Sequence, residues 1–426
     1  MGDCNKRNMR VLWFSNCVLG ESISKGTGSW LFAMKDLLIP HIELINVTIS
    51  TNSDIIHNEY SLNFKEVLLP KWPLYKGVPS IENIKRIEDI LLYYDPDIIH
   101  IWGLELYWAL LFVRGYIKKD FLLEIQGLLS ACEELSNGLI NQKEKLRFIG
   151  LKDIIKRIPR LVEVMNVKDN YDKEILSSSR YIATQSKWTK EQISCIIPKE
   201  SIVFNSLRPI RELFLIENKK FKKHASSPIV VFTTISYCVP FKGLHFLIQA
   251  LSQVKHRYPN ILLKIAGIQL WNKKCYQRGW YENYLLNIIS TNNLIDNIEF
   301  LGVLDTQQLV DELNKADIFV NPSLIESFSA ASAEALSLGV PSIFAYAGAL
   351  PNFAEKENVA LYYSPYDYMS CAAKMIEIIE NNDLSQQLSA NALKSMRTRC
   401  DRSKVLEKQI SIYNDYLDYI SNKKER

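Results

Sequence analysis

No apolar run in these 426 residues approaches the roughly 18 to 20 positions that a membrane-spanning helix requires. The longest are short pieces such as 107–113 and 229–232, so no transmembrane helix is expected. Near the start, Lys6, Arg7 and Arg10 precede or adjoin the apolar stretch 11–14, which falls short of the roughly 7 to 15 apolar residues of a secretion signal and reads as a first strand. Myristoylation at Gly2 is not expected, because Lys6 stands where that motif has Ser or Thr. The eight cysteines are scattered singly without a CxxC pair, and the six histidines form no cluster at metal-ligand spacing. That pattern argues against structural zinc and fits a reducing compartment. A formal net charge of +4 is too small to argue for nucleic acid, and no recognition motif accompanies it. No internal repeat of about 20 to 50 residues and no long low-complexity segment is visible.

What is there is ordinary globular chemistry: 47% hydrophobic and 23% charged residues, enough chain for two domains of about 200 residues each. Strand-length apolar runs at 10–15, 41–49, 97–102, 121–126, 181–184 and 201–204 alternate with longer segments of helical period at 30–38, 81–94 and 107–116. Such a βαβ pattern builds parallel sheets covered by helices on both faces. The stretch 205–228, with its polar, basic run 218–223, reads as a linker. A second alternation follows over 229–346. The expectation is an α/β protein of two Rossmann-like doubly wound domains facing a central cleft, 1–207 and 208–405. A helix at 406–426 ends the chain. In open α/β sheets ligands sit beyond the carboxyl ends of strands, so residues just after strands are the ones to watch.

The most informative stretch is 316–351, ADIFVNPSLIESFSAASAEALSLGVPSIFAYAGALP. A strand ends at Asn321-Pro322, a loop carries Glu326, a helix of small residues starts near Ser329, Gly339 caps it and Pro341 opens the next strand. The helix start offers unpaired amides and a positive dipole end to an anion such as a diphosphate, with Ser327 and Ser329 as added hydroxyl donors. Glu334 sits inside that helix among Ala331, Ala335 and Leu338, where a bare carboxylate is costly without hydrogen-bond donors. Ribose hydroxyls would supply them.

Two glutamates separated by seven residues, with Phe328, Ala335, Gly339, Pro341, Gly348 and Pro351 around them, resemble the donor-binding signature of the retaining glycosyltransferase family 4, whose architecture is GT-B. The resemblance implies that Glu326 contacts hydroxyls of the donor sugar and that Glu334 binds the ribose, with Ser327, Phe328 and Ser329 beside the donor. It extends to 231–250, VFTTISYCVPFKGLHFLIQA, where Lys242 follows a strand and opens a helix. Lys242 would neutralise charge on a departing diphosphate. The family usually has an arginine five residues earlier; here the residue is Tyr237.

In the first half, Gly26, Thr27 and Gly28 follow the first strand. They make a poor dinucleotide fingerprint but a reasonable glycine loop for backbone amides to approach a phosphate, as in the family. The segment 96–103, PDIIHIWG, resembles the family's acceptor-side strand; within it His100 reads either as a core histidine or as a functional one. Asp95-Pro96-Asp97 reads as a turn, and no metal is assigned. At 121–128, FLLEIQGL, many family members have a histidine beside the donor sugar where this chain has Gln126. Glutamine is no general base near neutral pH, though its amide hydrogen-bonds sugar hydroxyls. Seven basic residues within 143–160, with Leu151, Ile154, Ile155 and Ile158 on one helical face, fit peripheral contact with an anionic membrane, and equally a solvated helix packed by its apolar face.

Taken with the resemblance, these features lead us to expect a cytoplasmic, metal-independent retaining glycosyltransferase without a resident cofactor. It would move a sugar from a nucleotide-diphosphate donor to a glycan or lipid-linked acceptor, in surface polysaccharide synthesis by family association. The first domain is then the acceptor side and the second the nucleotide-sugar side. Lys242, Glu326 and Gln126 are the candidate catalytic residues. A nucleotide-sugar epimerase and a non-catalytic binding or scaffold subunit are the alternatives.

Overall fold

The computed structural model describes residues 8–20, 28–50, 54–72, 76–154, 171–216, 228–354 and 357–424. Eight strands form a first sheet: β1 (Arg10–Phe14), β2 (Glu43–Ser50), β3 (Ile56–Ser61), β4 (Phe64–Pro70), β5 (Ile98–Trp102), β6 (Leu122–Ile125), β7 (Tyr181–Thr184) and β8 (Ile202–Asn205), in the order β3-β4-β2-β1-β5-β6-β7-β8. Six more form a second: β9 (Val230–Thr234), β10 (Leu262–Ala266), β11 (Ile298–Gly302), β12 (Ile318–Asn321), β13 (Ser342–Ala345) and β14 (Leu361–Tyr363), in the order β11-β10-β9-β12-β13-β14. Every pairing is parallel except β3 with β4. The strand order reverses beside β1 in one sheet and beside β9 in the other, and such switch points open crevices at the carboxyl ends.

The fully buried strands read as continuous apolar runs because helices cover both faces. β5 is buried at all five positions, and β12 and β13 at all four. The helix Ile81–Tyr94 turns Ile84, Ile87, Ile90, Leu91 and Tyr94 inward at helical spacing, and the Ser80 side chain caps it by accepting from the Asn83 amide. The hairpin of β3 and β4 was not expected from the sequence. β3 is a polar edge strand, IHNEYS, exposed at four of its six positions, so it lacks the apolar signal that marks its neighbours.

Two segments cross between the halves. The helix Arg402–Lys424 returns to the first sheet, where Val405, Ile412, Tyr413 and Tyr416 pack with Val11, Trp13, Trp102 and Tyr181. Each such side chain contributes about 1.5 to 3 kcal/mol by burial. Residues 137–154 lean the other way, onto the second half. His245 Nε2 lies 3.0 Å from the Gly138 carbonyl oxygen, Asn283 Nδ2 donates to the Phe148 carbonyl at 3.2 Å, and Lys152 meets Glu282 at 3.4 Å. Leu146, Leu151 and Ile154 stay exposed, and 155–160, the rest of the expected basic amphipathic stretch, lies outside the described residues. The expected linker is in part a packed segment: Ser206, Arg208, Pro209, Ile210 and Phe214 are buried, while 217–227 lies outside the described residues. No described helix is long and apolar enough to cross a membrane.

Candidate active site in the interdomain cleft

Lys242 and Glu326 arrive from two different loops and meet. β9 is followed by a 3-10 turn, Pro240–Lys242, and β12 by the loop that carries Glu326. Gly243 joins the turn to the next helix with φ 68°, and a Cβ there would collide with the Pro322 carbonyl oxygen. Only glycine allows both the backbone conformation and the close approach. The Leu324 amide donates to the Phe241 carbonyl at 2.8 Å, locking the two loops together. Glu326 is clamped from its other side, where the Ala349 amide donates to its carbonyl at 2.7 Å and Gly348 (φ 54°) leaves no room for a Cβ against the Glu326 backbone. Lys242 Nζ consequently donates to Glu326 Oε1 at 2.7 Å. This is a charge-assisted hydrogen bond at the carboxyl ends of the central strands.

A cavity of about 280 Å³ lies over this pair. Phe241, Lys242 and residues 325–330 form one wall, and the first domain supplies the other through Trp30, Gln126, Gly127, Cys132, Gln185 and Arg208. Gln126 follows β6 and Gln185 follows β7, so this wall too is built at strand carboxyl ends. The structure therefore brings Lys242, Glu326, Gln126, Ser327, Phe328 and Ser329 to one cavity. Ser329 holds φ 69°, an uncommon backbone state for a non-glycine residue and one that clusters at functional sites. Its hydroxyl is turned into the protein, accepting from Asn321 Nδ2 at 2.9 Å and donating to Ser332 Oγ at 2.9 Å while it caps the helix Ala330–Ser337. The expectation that Ser329 adds a hydroxyl donor is corrected accordingly. Ser327 Oγ remains on the cavity side, 3.9 Å from where a Cβ on Gly127 would stand.

Glu334 lies elsewhere. It is not among the residues lining this cavity, it is 6% exposed, and both its carboxylate oxygens are taken by Arg211: Nε to Oε1 and Nη2 to Oε2, each at 2.8 Å. Arg211 Nη1 also donates to Thr306 Oγ1 at 3.0 Å. The donors expected from ribose hydroxyls are thus supplied by the protein, which removes desolvation of Glu334 as an argument for a ligand there. Gly28 opens the helix Ser29–Leu38 beside Cys17, but Gly26 and Thr27 lie outside the described residues.

The first-domain wall rests on a buried polar network. Arg208 Nη2 lies 3.2 Å from Glu124 Oε1 and donates to Gln185 Oε1 at 3.3 Å, and its guanidinium stacks over Trp30, 3.9 Å from the ring centroid. Ser206 donates to the same Glu124 oxygen. Burial raises the Glu124 pKa, but Arg208, His100 and Ser206 outweigh it and hold the carboxyl below its ordinary range. His100 Nδ1 lies 3.0 Å from Tyr413 Oη, to which Trp13 Nε1 donates at 3.0 Å, and burial keeps its pKa below the usual value. His100 is therefore a core histidine tied to the returning helix. Asp95 ends the helix Ile81–Tyr94 and Asp97 accepts from the Arg10 amide at 2.7 Å, the structural roles expected of that turn.

Glu105 carries no motif that marks it in the sequence. It follows β5, its carboxyl fills the space where a side chain on Gly103 would stand, and its Oε2 is buried with no hydrogen-bond partner among the described residues. Burial pushes its pKa up to about 7. Arg208 and Arg211 lie in the stretch expected as a linker and are not foreseen from the sequence. The signal was the apolar spacing of Leu207, Ile210, Leu213 and Phe214 around them, which marks a packed segment.

Residues 216–395, from the end of that connecting segment through the second sheet, match the family model described as Glycosyl transferases group 1. The chain is 24% identical over 172 residues to a glycogen synthase of Mycobacterium tuberculosis, covering 40% of this chain and 39% of that protein, so it spans about two-fifths of that relative's length. Sucrose-phosphate synthase from Thermosynechococcus elongatus shares the fold with a TM-score of 0.72 at 16% identity, over 96% of this chain and 100% of that one. Anabaena HepE in complex with UDP-glucose does so with a TM-score of 0.62 at 16% identity, over 97% and 100%. The stretch that carries Lys242 and Glu326 is thus the one that matches the glycosyl transferases group 1 model, and the chain has the GT-B fold.

Proposed function

We propose that this chain is a retaining glycosyltransferase of the family 4 type, transferring a sugar from a nucleoside-diphosphate donor to a hydroxyl of a glycan or lipid-linked acceptor. The observation that carries the reading is the Lys242–Glu326 pair at 2.7 Å, held at strand carboxyl ends inside the matched domain and facing Gln126 and Arg208 across a cavity. In this scheme the bond from the anomeric carbon to the diphosphate breaks while the acceptor oxygen bonds on the same face. The acceptor proton passes to the departing diphosphate. Lys242 and the amides at the start of the helix Ala330–Ser337 stabilise the developing charge, which is why no metal is needed. Glu326 and the Gln126 amide hold sugar hydroxyls in place, and positioning of the donor does much of the catalysis.

The nucleotide-bound Anabaena structure favours a UDP-sugar as the first donor to try. Thermal melting of the whole chain against UDP-, GDP- and ADP-sugars tests the donor site, since a ligand that binds only the folded state raises its stability. A rise with one nucleotide class is expected, and no rise with any of the three would count against the reading. Product analysis with donor alone separates transfer from epimerisation, which yields an isomeric nucleotide sugar without acceptor. Peripheral membrane contact through 143–160 belongs to the same reading, supported by exposed Leu146, Leu151 and Ile154 beside Lys143 and Arg147. Flotation with anionic vesicles at low salt checks it.

A further inference from the structure

The second-domain wall of the cavity has no spare positive charge. Lys242 is the cation on that wall, and Glu326 already neutralises it at 2.7 Å. A diphosphate offers several acceptor oxygens, so a site built to hold one needs N–H donors beyond Lys242. Tyr237, at the turn before Lys242, is uncharged and 60% exposed. Across the cavity stands Arg208, 4% exposed. Its Nη2 is engaged by Glu124 and Gln185, but its Nη1 is buried without a hydrogen-bond partner among the described residues. Gln126 Nε2, on the same wall, is a second buried donor without a partner. A buried donor left unpaired is costly, and a guanidinium keeps its charge in proteins, so both groups are poised for an oxygen-rich anion in the space they line. Stacking on Trp30 fixes the plane of the guanidinium, which lets it meet two phosphate oxygens without first losing side-chain freedom.

We propose that Arg208, from the segment joining the two domains, is the second cationic contact of the donor's diphosphate, engaging it through Nη1 from the wall opposite Lys242. The proposal rests on the donor reading above. Because Arg208 is anchored to the first sheet through Glu124 and Gln185, the same contact makes diphosphate binding a bridge between the two domains.

Calorimetry on the full-length protein tests it, with UDP, GDP, ADP, the matching nucleosides and inorganic pyrophosphate as probes. The variants are Arg208→Gln combined with Glu124→Gln, so that no unpaired buried carboxylate is left behind, and Arg208→Lys, which keeps the charge but loses the fork. The expected result is that the wild type binds one nucleoside diphosphate and pyrophosphate competes for the site. The double variant should lose roughly ten- to a hundredfold in affinity for both, with nucleoside affinity unchanged, and Arg208→Lys should show a smaller loss of the same kind. The ratio of diphosphate to nucleoside affinity is the readout, because a merely structural arginine would move both together or neither. An unchanged ratio in variants that melt cooperatively overturns the proposal while leaving the donor reading intact. Failure of the wild type to bind any of the three diphosphates overturns both. If the double variant does not fold, the ratio measured on Arg208→Lys decides.

Discussion

Arg211 grips both oxygens of Glu334 at 2.8 Å, whereas Arg208, three residues earlier, is tied to Glu124 on the other sheet at 3.2 Å. The two arginines flank Pro209 and Ile210, both buried, so the described start of the connection between the domains is pinned by one ion pair to each half. Breaking such a pair from one side strands the partner charge, which costs far more than the pair itself contributes. Arg211→Ala is therefore expected to destabilise the second domain by about 3 to 5 kcal/mol. Urea denaturation measures it, and replacement of both partners by apolar residues should recover most of the loss.

Glu105 makes stability depend on pH. Its folded pKa of about 7 lies above the ordinary 4.5, so between those values the folded state holds the proton more tightly than the unfolded one. The burial of this carboxyl is tolerated below about pH 4.5, and stability is lost as pH rises from there through about 7, by an amount on the order of 3 kcal/mol. Urea midpoints at pH 5 and pH 7.5 should fall less in Glu105→Gln than in the wild type.

His245 works in the opposite direction. Burial pushes its pKa down to about 4 from 6.5, so the folded state excludes the proton, and its stabilising contribution, complete above pH 6.5, disappears as pH falls toward 4. Because its ring meets Gly138 and Tyr281, the protection factors of the amides over 137–148, corrected for the intrinsic pH dependence of exchange, should be lower at pH 5 than at pH 7.5. His245→Gln should flatten that difference.

Gly348→Ala places a methyl group against the Glu326 backbone at a positive φ. A strain of about 1 to 3 kcal/mol is expected, together with a raised KM for the donor because Glu326 is displaced. Thermal melting and initial rates check the two effects separately.

How much of this was legible without a structure depended on whether a residue's role was written locally. The helix Ile81–Tyr94 and the run from β12 through β13 carry their own period, caps and punctuation, so their element types and places were readable. Lys242 and Glu326 stood out because each follows a strand next to a glycine or helix start. Their meeting was not visible, since it depends on Gly243 fitting against Pro322 and on Gly348 closing over Glu326. Arg208, Arg211 and Glu105 were invisible for a related reason. The partners of the two arginines, Glu124 and Glu334, lie 84 and 123 positions away, and no local pattern announces a buried pair at that range; the burial of Glu105 likewise depends on elements distant in the chain. The polar hairpin of β3 and β4 escaped because an exposed edge strand has no buried face to alternate against.

The central claim is that Lys242 stabilises a departing nucleoside diphosphate, and turnover of the Lys242→Ala protein tests it most directly. Release of nucleoside diphosphate from the best donor is followed in the wild type and in the variant, with melting curves to confirm that both are folded. A fall of roughly 100- to 1000-fold in turnover is predicted, the scale expected for losing one preorganised donor at a developing anion. Turnover equal to the wild type in a folded variant would contradict the account.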